Sequence, residues 1–266
     1  MSIKRFLIRL HWLLSSQFGI DPQRFLRSLR GIPRFISDWW SFRKGQVSPL
    51  VWMPCLHDRY AEGGTTKSEY FWQDLLVARC IHAAAPSKHV DIGSRVDGFV
   101  AHVASFREIE VFDVRPVTTH IPGVAFTQAD MMNAASIAPL IAGGGYCDSL
   151  SCLHALEHFG LGRYGDPIDP NGYKKGLSNM AKLLKPGGTL YLSTPIGQER
   201  VEFNANWVFD PRTIIATAQE WGLTLRGLTV VSPEKGPQEA AIDQPTLQVL
   251  AGQPYNLGIF TFTKAN

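Results

Sequence analysis

From residue 88 onward, short apolar runs alternate with amphipathic stretches, and the runs stop at acids, serines or glycines. His89–Ile92 and Ile109–Asp113 read as buried parallel strands reaching the ligand edge of a sheet. A helix over about 98–106 is predicted between them. Val124–Gln128 gives a third strand, and Tyr146–Ser151, entered after Gly143-Gly144-Gly145, a fourth. A polar loop at 160–172 leads into a helix at about 173–184, which Lys185-Pro186-Gly187-Gly188 stops before a fifth strand, Thr189–Thr194. A helix at about 211–221 precedes strand-like runs Leu223–Val231 and Gly258–Lys264, with the Pro/Gln-rich 232–257 between them predicted as a surface excursion. Ahead of all this, Ser68–Ala85 spaces Phe71, Leu75, Val77 and Ile81 as a helix ending before Pro86. The alternation predicts one α/β domain over 46–266, its sheet mostly parallel and its last strand antiparallel beside the fifth.

The first 45 residues pattern differently. Ile3, Phe6, Leu7, Leu10, Leu13 and Leu14 share a helical stripe, with Lys4, Arg5 and Arg9 off it. A second helix is signalled by Asp21 as N-cap, Pro22 at its first position and Gly31 just past its end. The run Arg34–Lys44 interleaves aromatic and basic residues. Residues 1–44 hold nine Lys/Arg against Asp21 and Asp38, a charge of +7, so a chain of net +3 carries −4 elsewhere. This basic helical arm has two main readings: its faces pack on the domain, or they lie on a membrane surface or a partner enzyme. Nucleic acid is disfavoured, because the domain itself is not basic.

Composition sets bounds. At 266 residues, 45% apolar and 18% charged, the chain is ordinary globular material. Four scattered cysteines form neither a disulfide framework nor a C-x-x-C pair, which points to a reducing cytoplasm, at the inner face of the membrane if the arm binds there. No apolar stretch suits a spanning helix, and Arg9 interrupts the only run resembling a signal sequence. Gly63-Gly64-Thr65-Thr66-Lys67-Ser68 is not a P-loop: it lacks the Gly before Lys and follows no strand.

A tight glycine turn after the first strand lets backbone approach a nucleotide, and an acid ending the second can accept both ribose hydroxyls. Asp91-Ile92-Gly93-Ser94 and Asp113 supply that pair. With Asp130-Met131 after the third strand, the string Asp148–His158, and Leu183–Leu190 before the fifth strand, the chain resembles the class I S-adenosylmethionine-dependent methyltransferases. More narrowly, Asp91–Phe99, Gly162–Pro167 and Ser193–Gly197 resemble an uncharacterised methyltransferase-like family associated with bacterial surface-polysaccharide synthesis. The resemblance implies a Rossmann-like sheet, S-adenosylmethionine as cofactor and a sugar or glycan acceptor. It implies cofactor contacts from Asp91, Gly93, Ser94, Gly98, Asp113, Asp130, Met131 and His154. The usual loop has three alternating glycines, whereas Arg95 and Asp97 stand at the second and third places here, with Gly98 one place later.

An alcohol acceptor must also lose a proton, so a His or carboxylate should stand near the transferred methyl. His154 is the first candidate base, its alternative role being a cofactor wall; His158 and Asp166 follow. Tyr70, Gln73 and Asp74 either close over the site or pack. His154-Ala155-Leu156-Glu157-His158 also satisfies H-x-x-E-H, an inverted zinc-protease pattern, but a strand feeding directly into it suits the methyltransferase reading better, so no metal is assigned. A nicotinamide dehydrogenase lacks its G-x-G-x-x-G. A non-catalytic binding or scaffold protein of the same fold is the remaining alternative.

Overall fold

Asp21 starts the longest helix of the chain. Its Oδ1 accepts from the Gln23 and Arg24 amides at 3.0 Å, and Pro22 fills the first helical position. This helix, α2 (Pro22–Arg43), follows α1 (Ile3–Trp12) and a π-helical turn, Leu13–Gln17. The computed structural model describes residues 3–45, 48–232 and 234–266, and the chain divides into two units, Met1–Thr65 and Thr66–Asn266. Gly31 does not end α2 as the pattern suggested. A Cβ there would collide with the Leu56 carbonyl, so the glycine admits a neighbouring segment instead of turning the chain. The helix also runs through Pro33, which forfeits one backbone bond. Phe35 and Trp39 pack on Trp52, with ring centroids 5.2 and 5.1 Å apart, and fasten the last turns.

The second unit opens with α3 (Glu69–Ala84), capped by Ser68. Its sheet has eight strands in the order β3-β2-β1-β4-β5-β10-β8-β9. These are β1 (His89–Ile92), β2 (Ile109–Asp113), β3 (Val124–Gln128), β4 (Cys147–Leu153), β5 (Leu184–Ile196), β8 (Leu223–Ser232), β9 (Gly236–Glu239) and β10 (Asn256–Lys264). β1 to β5 pair parallel. β10 inserts antiparallel between β5 and β8, with Phe260 opposite Leu192 and Leu228. A two-stranded ribbon, β6 (Arg200–Glu202) and β7 (Asn206–Val208), stands beside it.

Alternation along the strands fills both faces, as a doubly wound sheet requires. Val90, Ile92, Leu150, Leu190, Leu192, Phe260 and Phe262 join the core beneath α5 (Ala134–Ile141), α6 (Gly172–Leu183) and α7 (Pro211–Glu220). Val111, Leu153, Tyr191 and Ile259 meet α3, the π-turn Val96–Val100 and the short α4 (Ala101–Ala104) on the other. Truncating a fully buried ring such as Phe260 costs about 3–5 kcal/mol.

Four details depart from the sequence pattern. The helix expected at 98–106 starts as the π-turn at Val96. α5, capped by Asn133, was not foreseen. β5 begins at Leu184, because Lys185–Gly188 stays in the sheet as a pairing irregularity against Cys147 and Ser149. The 232–257 excursion carries β9 and α8 (Gln244–Gly252), whose Leu247 and Leu250 reach the core. On β9, the Ala240 amide bonds inward to Leu228, so strand parity turns the nitrogens of Pro237 and Glu239 outward. Among the described residues, no helix is long and apolar enough to cross a membrane.

Candidate functional site

A cavity of about 450 Å³ opens at the C-terminal ends of β1, β2 and β4, where ligands bind in open α/β sheets. Gly93, Ser94, Asp113, Asp130, Met131, His154, His158 and Asp166 all line it. Asp91 and Gly98 do not.

Asp91 works from behind the turn. It accepts from Ser94 N at 3.0 Å, Ser94 Oγ at 2.6 Å and Ser151 Oγ at 2.5 Å. Complete burial outweighs these bonds and pushes its carboxyl up to about 6. Ser94 Oγ also accepts from Leu153 N at 3.0 Å, tying the ends of β1 and β4 together. Gly93 then crosses the cavity floor at φ 70°, its amide on Phe112 O at 2.8 Å. A Cβ there would sit 3.1 Å from that of Ala155. Gly98 lies against Asp74 instead, where a Cβ would come within 2.6 Å of Oδ2.

Asp113 ends β2 with its carboxylate already claimed. Arg115 donates to Oδ1 from its amide at 2.8 Å and from Nε at 3.0 Å, and to Oδ2 from Nη2 at 2.7 Å. The guanidinium also stacks 4.4 Å from the Tyr164 ring. Asp130 Oδ1 accepts from the Met132 amide at 2.8 Å. Asp166 collects three amides, from Gly160 (3.0 Å), Gly162 (3.2 Å) and Tyr164 (3.1 Å). It therefore organises the 160–166 loop, and a carboxylate so engaged makes a poor base.

His154, at φ 51° just past β4, is 5% exposed and stacks on Tyr70 at 4.6 Å. Its Nδ1 lies 2.6 Å from Glu157 Oε1 and its Nε2 3.3 Å from Glu69 Oε1. Tyr255 in turn donates to both Glu69 oxygens, at 2.8 and 3.0 Å. Burial alone would depress this imidazole, but the hydrogen bond to Glu157 and the charges of Glu157 and Glu69 prevail and hold it at about 10. His154 is thus an imidazolium at neutral pH, with no lone pair to offer. This argues against its reading as the base. Its Nε2 is buried without a well-aligned acceptor.

His158 has the opposite state. Its Nδ1 donates to Ala205 O at 2.7 Å, because a carbonyl can only accept. Burial depresses its pKa below the ordinary value, outweighing Glu157. Nε2 therefore carries the lone pair, 3.8 Å from Glu157 Oε1. Arg163 shares the Ala205 carbonyl at 3.0 Å and lies over Tyr164 at 5.2 Å. Tyr70 lines the cavity, whereas Gln73 and Asp74 pack beneath it, Gln73 accepting from Ser193 Oγ at 2.5 Å. The sequence pattern assigned no role to Glu69 or Arg115, and Tyr164 figured only within the Gly162–Pro167 string. The H-x-x-E-H string forms a single 3₁₀ turn, Leu156–His158, with Glu157 Oε1 between the two rings. Among the described residues, no three His, Cys, Asp or Glu side chains are arranged to hold a metal ion.

A family model described as "Caenorhabditis protein of unknown function, DUF268" matches residues 145–223, under a third of the chain. No curated protein matches by sequence. Among solved structures, 1,6-didemethyltoxoflavin-N1-methyltransferase from Burkholderia thailandensis, with bound 1,6-didemethyltoxoflavin and S-adenosylhomocysteine, is similar at 14% identity and TM-score 0.50, over 93% of this chain and 92% of that one. N-methyltransferase NodS from Bradyrhizobium japonicum WM9, in complex with S-adenosylhomocysteine, has 14% identity and TM-score 0.47, over 75% and 89%. A TehB-like SAM-dependent methyltransferase from Corynebacterium glutamicum has 16% identity and TM-score 0.47, over 73% and 88%. With its parallel sheet, antiparallel β10 and cavity at the strand ends, the second unit has the Rossmann-like fold of the class I methyltransferases.

Proposed function

We propose that the chain is an S-adenosylmethionine-dependent methyltransferase that O-methylates a sugar or glycan intermediate, with His158 as the base. One observation carries this reading: a single cavity gathers the Gly93–Ser94 turn, Asp113, Asp130–Met131 and a neutral imidazole with a free lone pair. The sugar acceptor and a place in surface-polysaccharide synthesis are supported by the resemblance carried by Asp91–Phe99, Gly162–Pro167 and Ser193–Gly197.

The residues present fit a nucleoside cofactor bearing a cation. Gly93, at positive φ, leaves no side chain between backbone and ligand. A carboxylate offers about four acceptor positions, and Arg115 takes three at Asp113, so one ribose hydroxyl can be held with Arg115 in place and a second as it yields. Asp130 keeps Oδ2 for an adenine amino group. Glu69 and Glu157 flank His154 from behind the cavity wall, an excess of one negative charge that favours a sulfonium nearby. When bound, the cofactor supplies a methyl group activated on sulfur, and positioning provides most of the acceleration. His158 Nε2 takes the acceptor's proton, a contribution of roughly 10²–10⁴-fold, and Ala205 O holds Nδ1–H so that the ring stays in the competent tautomer.

Calorimetry with S-adenosylhomocysteine tests the reading, with NAD alongside. Binding of the first and not the second is expected. The bidentate Arg115 clamp on Asp113 favours a second reading, a non-catalytic binding protein of the same fold. Failure to bind S-adenosylhomocysteine would leave that one standing.

A further inference from the structure

We infer that α2 docks on an anionic lipid bilayer, lying in its surface with its apolar face down. Phe25, Leu29, Ile32, Ile36 and Trp40 recur at helical spacing and so form one stripe. All five are exposed, from 38% at Ile32 to 63% at Phe25 and 57% at Trp40. A bare apolar stripe of this length on a soluble surface marks an interaction site. The aromatic residues within it are the types that favour the boundary between headgroups and acyl chains.

Charge identifies the occupant. Arg27, Arg30 and Arg34 line the opposite side of the helix at i, i+3 and i+7, and Arg24, Arg43 and Lys44 stand near its ends. Asp38 is the only acid in the helix, and Arg34 Nε holds it at 3.3 Å. Six cations between Arg24 and Lys44 against one paired acid complement an anionic bilayer, on which an apolar stripe backed by a basic face lies flat. A helix is only about 10–12 Å across and screening acts over about 8 Å at physiological salt. An interfacial helix sinks its apolar face about 5–10 Å into the headgroup boundary, which brings the arginines of the outer face within that screening length of the headgroups. Each basic residue near such a surface strengthens binding roughly fivefold, so the three arginines together are worth about a hundredfold.

The test is co-sedimentation of the full-length chain with phosphatidylcholine vesicles, with and without phosphatidylserine, at low and high salt. The expected result is association with the phosphatidylserine vesicles alone, weakened by salt, with the Trp fluorescence shifting to the blue. Arg27→Gln/Arg30→Gln/Arg34→Gln should reduce it about a hundredfold, and Phe25→Ser/Trp40→Ser should abolish it, with far-UV circular dichroism unchanged in both. No association at low salt would overturn the inference. So would unaltered binding by a well-folded variant, or a concentration-dependent dimer that Phe25→Ser/Trp40→Ser dissolves, which would assign the face to a second copy. Binding of S-adenosylhomocysteine plays no part in the readout, so the inference and the proposed activity fail separately.

Discussion

If His154 is an imidazolium, the stability of the fold must record its proton. Folding raises this group from 6.5 to about 10. Below pH 6.5 both folded and unfolded chains hold the proton, and the full stabilisation is present, about 5 kcal/mol. Above it the unfolded chain releases the proton first, so stability falls by about 1.4 kcal/mol per pH unit until the folded value is passed. Between about pH 7 and 8.5 the loss amounts to about 2 kcal/mol. The reference is His154→Gln/Glu157→Gln, because a lone Glu157 left in the core would itself take up a proton and imitate the effect. Urea unfolding followed by far-UV circular dichroism gives both stabilities at each pH. Titrations shared by the two proteins, such as that of His89, which burial pushes down to about 3, cancel in the difference. The gap between wild type and variant should shrink by about 2 kcal/mol across this range. A constant gap would mean that His154 is neutral, and would return it to candidacy as the base.

His158→Gln should lower turnover roughly 10²–10⁴-fold while calorimetry finds S-adenosylhomocysteine affinity almost unchanged; equal losses in both would make His158 a binding residue. Because its pKa lies below 6.5, kcat/KM in the wild type should stay level above neutrality and fall only on the acid side. Asp113→Ala should weaken S-adenosylhomocysteine roughly 10- to 100-fold, the worth of a charge-assisted hydrogen bond. Arg115→Ala should tighten it by no more than about fivefold, since a half-exposed ion pair contributes about 0–1 kcal/mol; weaker binding would show that Arg115 serves the ligand. Gly31→Ala drives a methyl into the Leu56 carbonyl and should cost about 1–3 kcal/mol, read as lost amide-exchange protection along 22–43 with the sheet unaffected.

The strands and the cavity floor were legible because each rests on local rules. β1 and β2 are buried runs ending in the groups that face a ligand, and Asp113 and Gly93 lie where those runs placed them. The antiparallel partner of β5 also follows the pattern. The two histidines resisted. They sit in one short string with the same expected chemistry, yet one is charged and the other neutral. What separates them is Glu69, delivered by α3 from a distant part of the chain, and the carbonyl of Ala205. Asp166 looked like a candidate base because its role, gathering three loop amides, depends on a backbone conformation that composition does not encode. Gly31 misled in another way: a glycine near a helical pattern's end signals a stop, and here it admits a neighbour. In 232–257, prolines and glutamines masked a capped helix whose Leu247 and Leu250 reach the core.

β9 has a bearing on how the protein survives at high concentration. It is four residues long and forms one rim of the sheet, and of the nitrogens it turns outward, that of Pro237 bears no hydrogen. A strand arriving from another molecule finds a missing donor there. A proline at the rim is one way sheets resist growing into aggregates. Behind β9 lies β8, ten residues long, which would make an inviting template if bared. Pro237→Val or removal of 236–239 should accordingly leave the cavity untouched and shorten the shelf life of concentrated solutions, with light scattering rising well before any activity is lost.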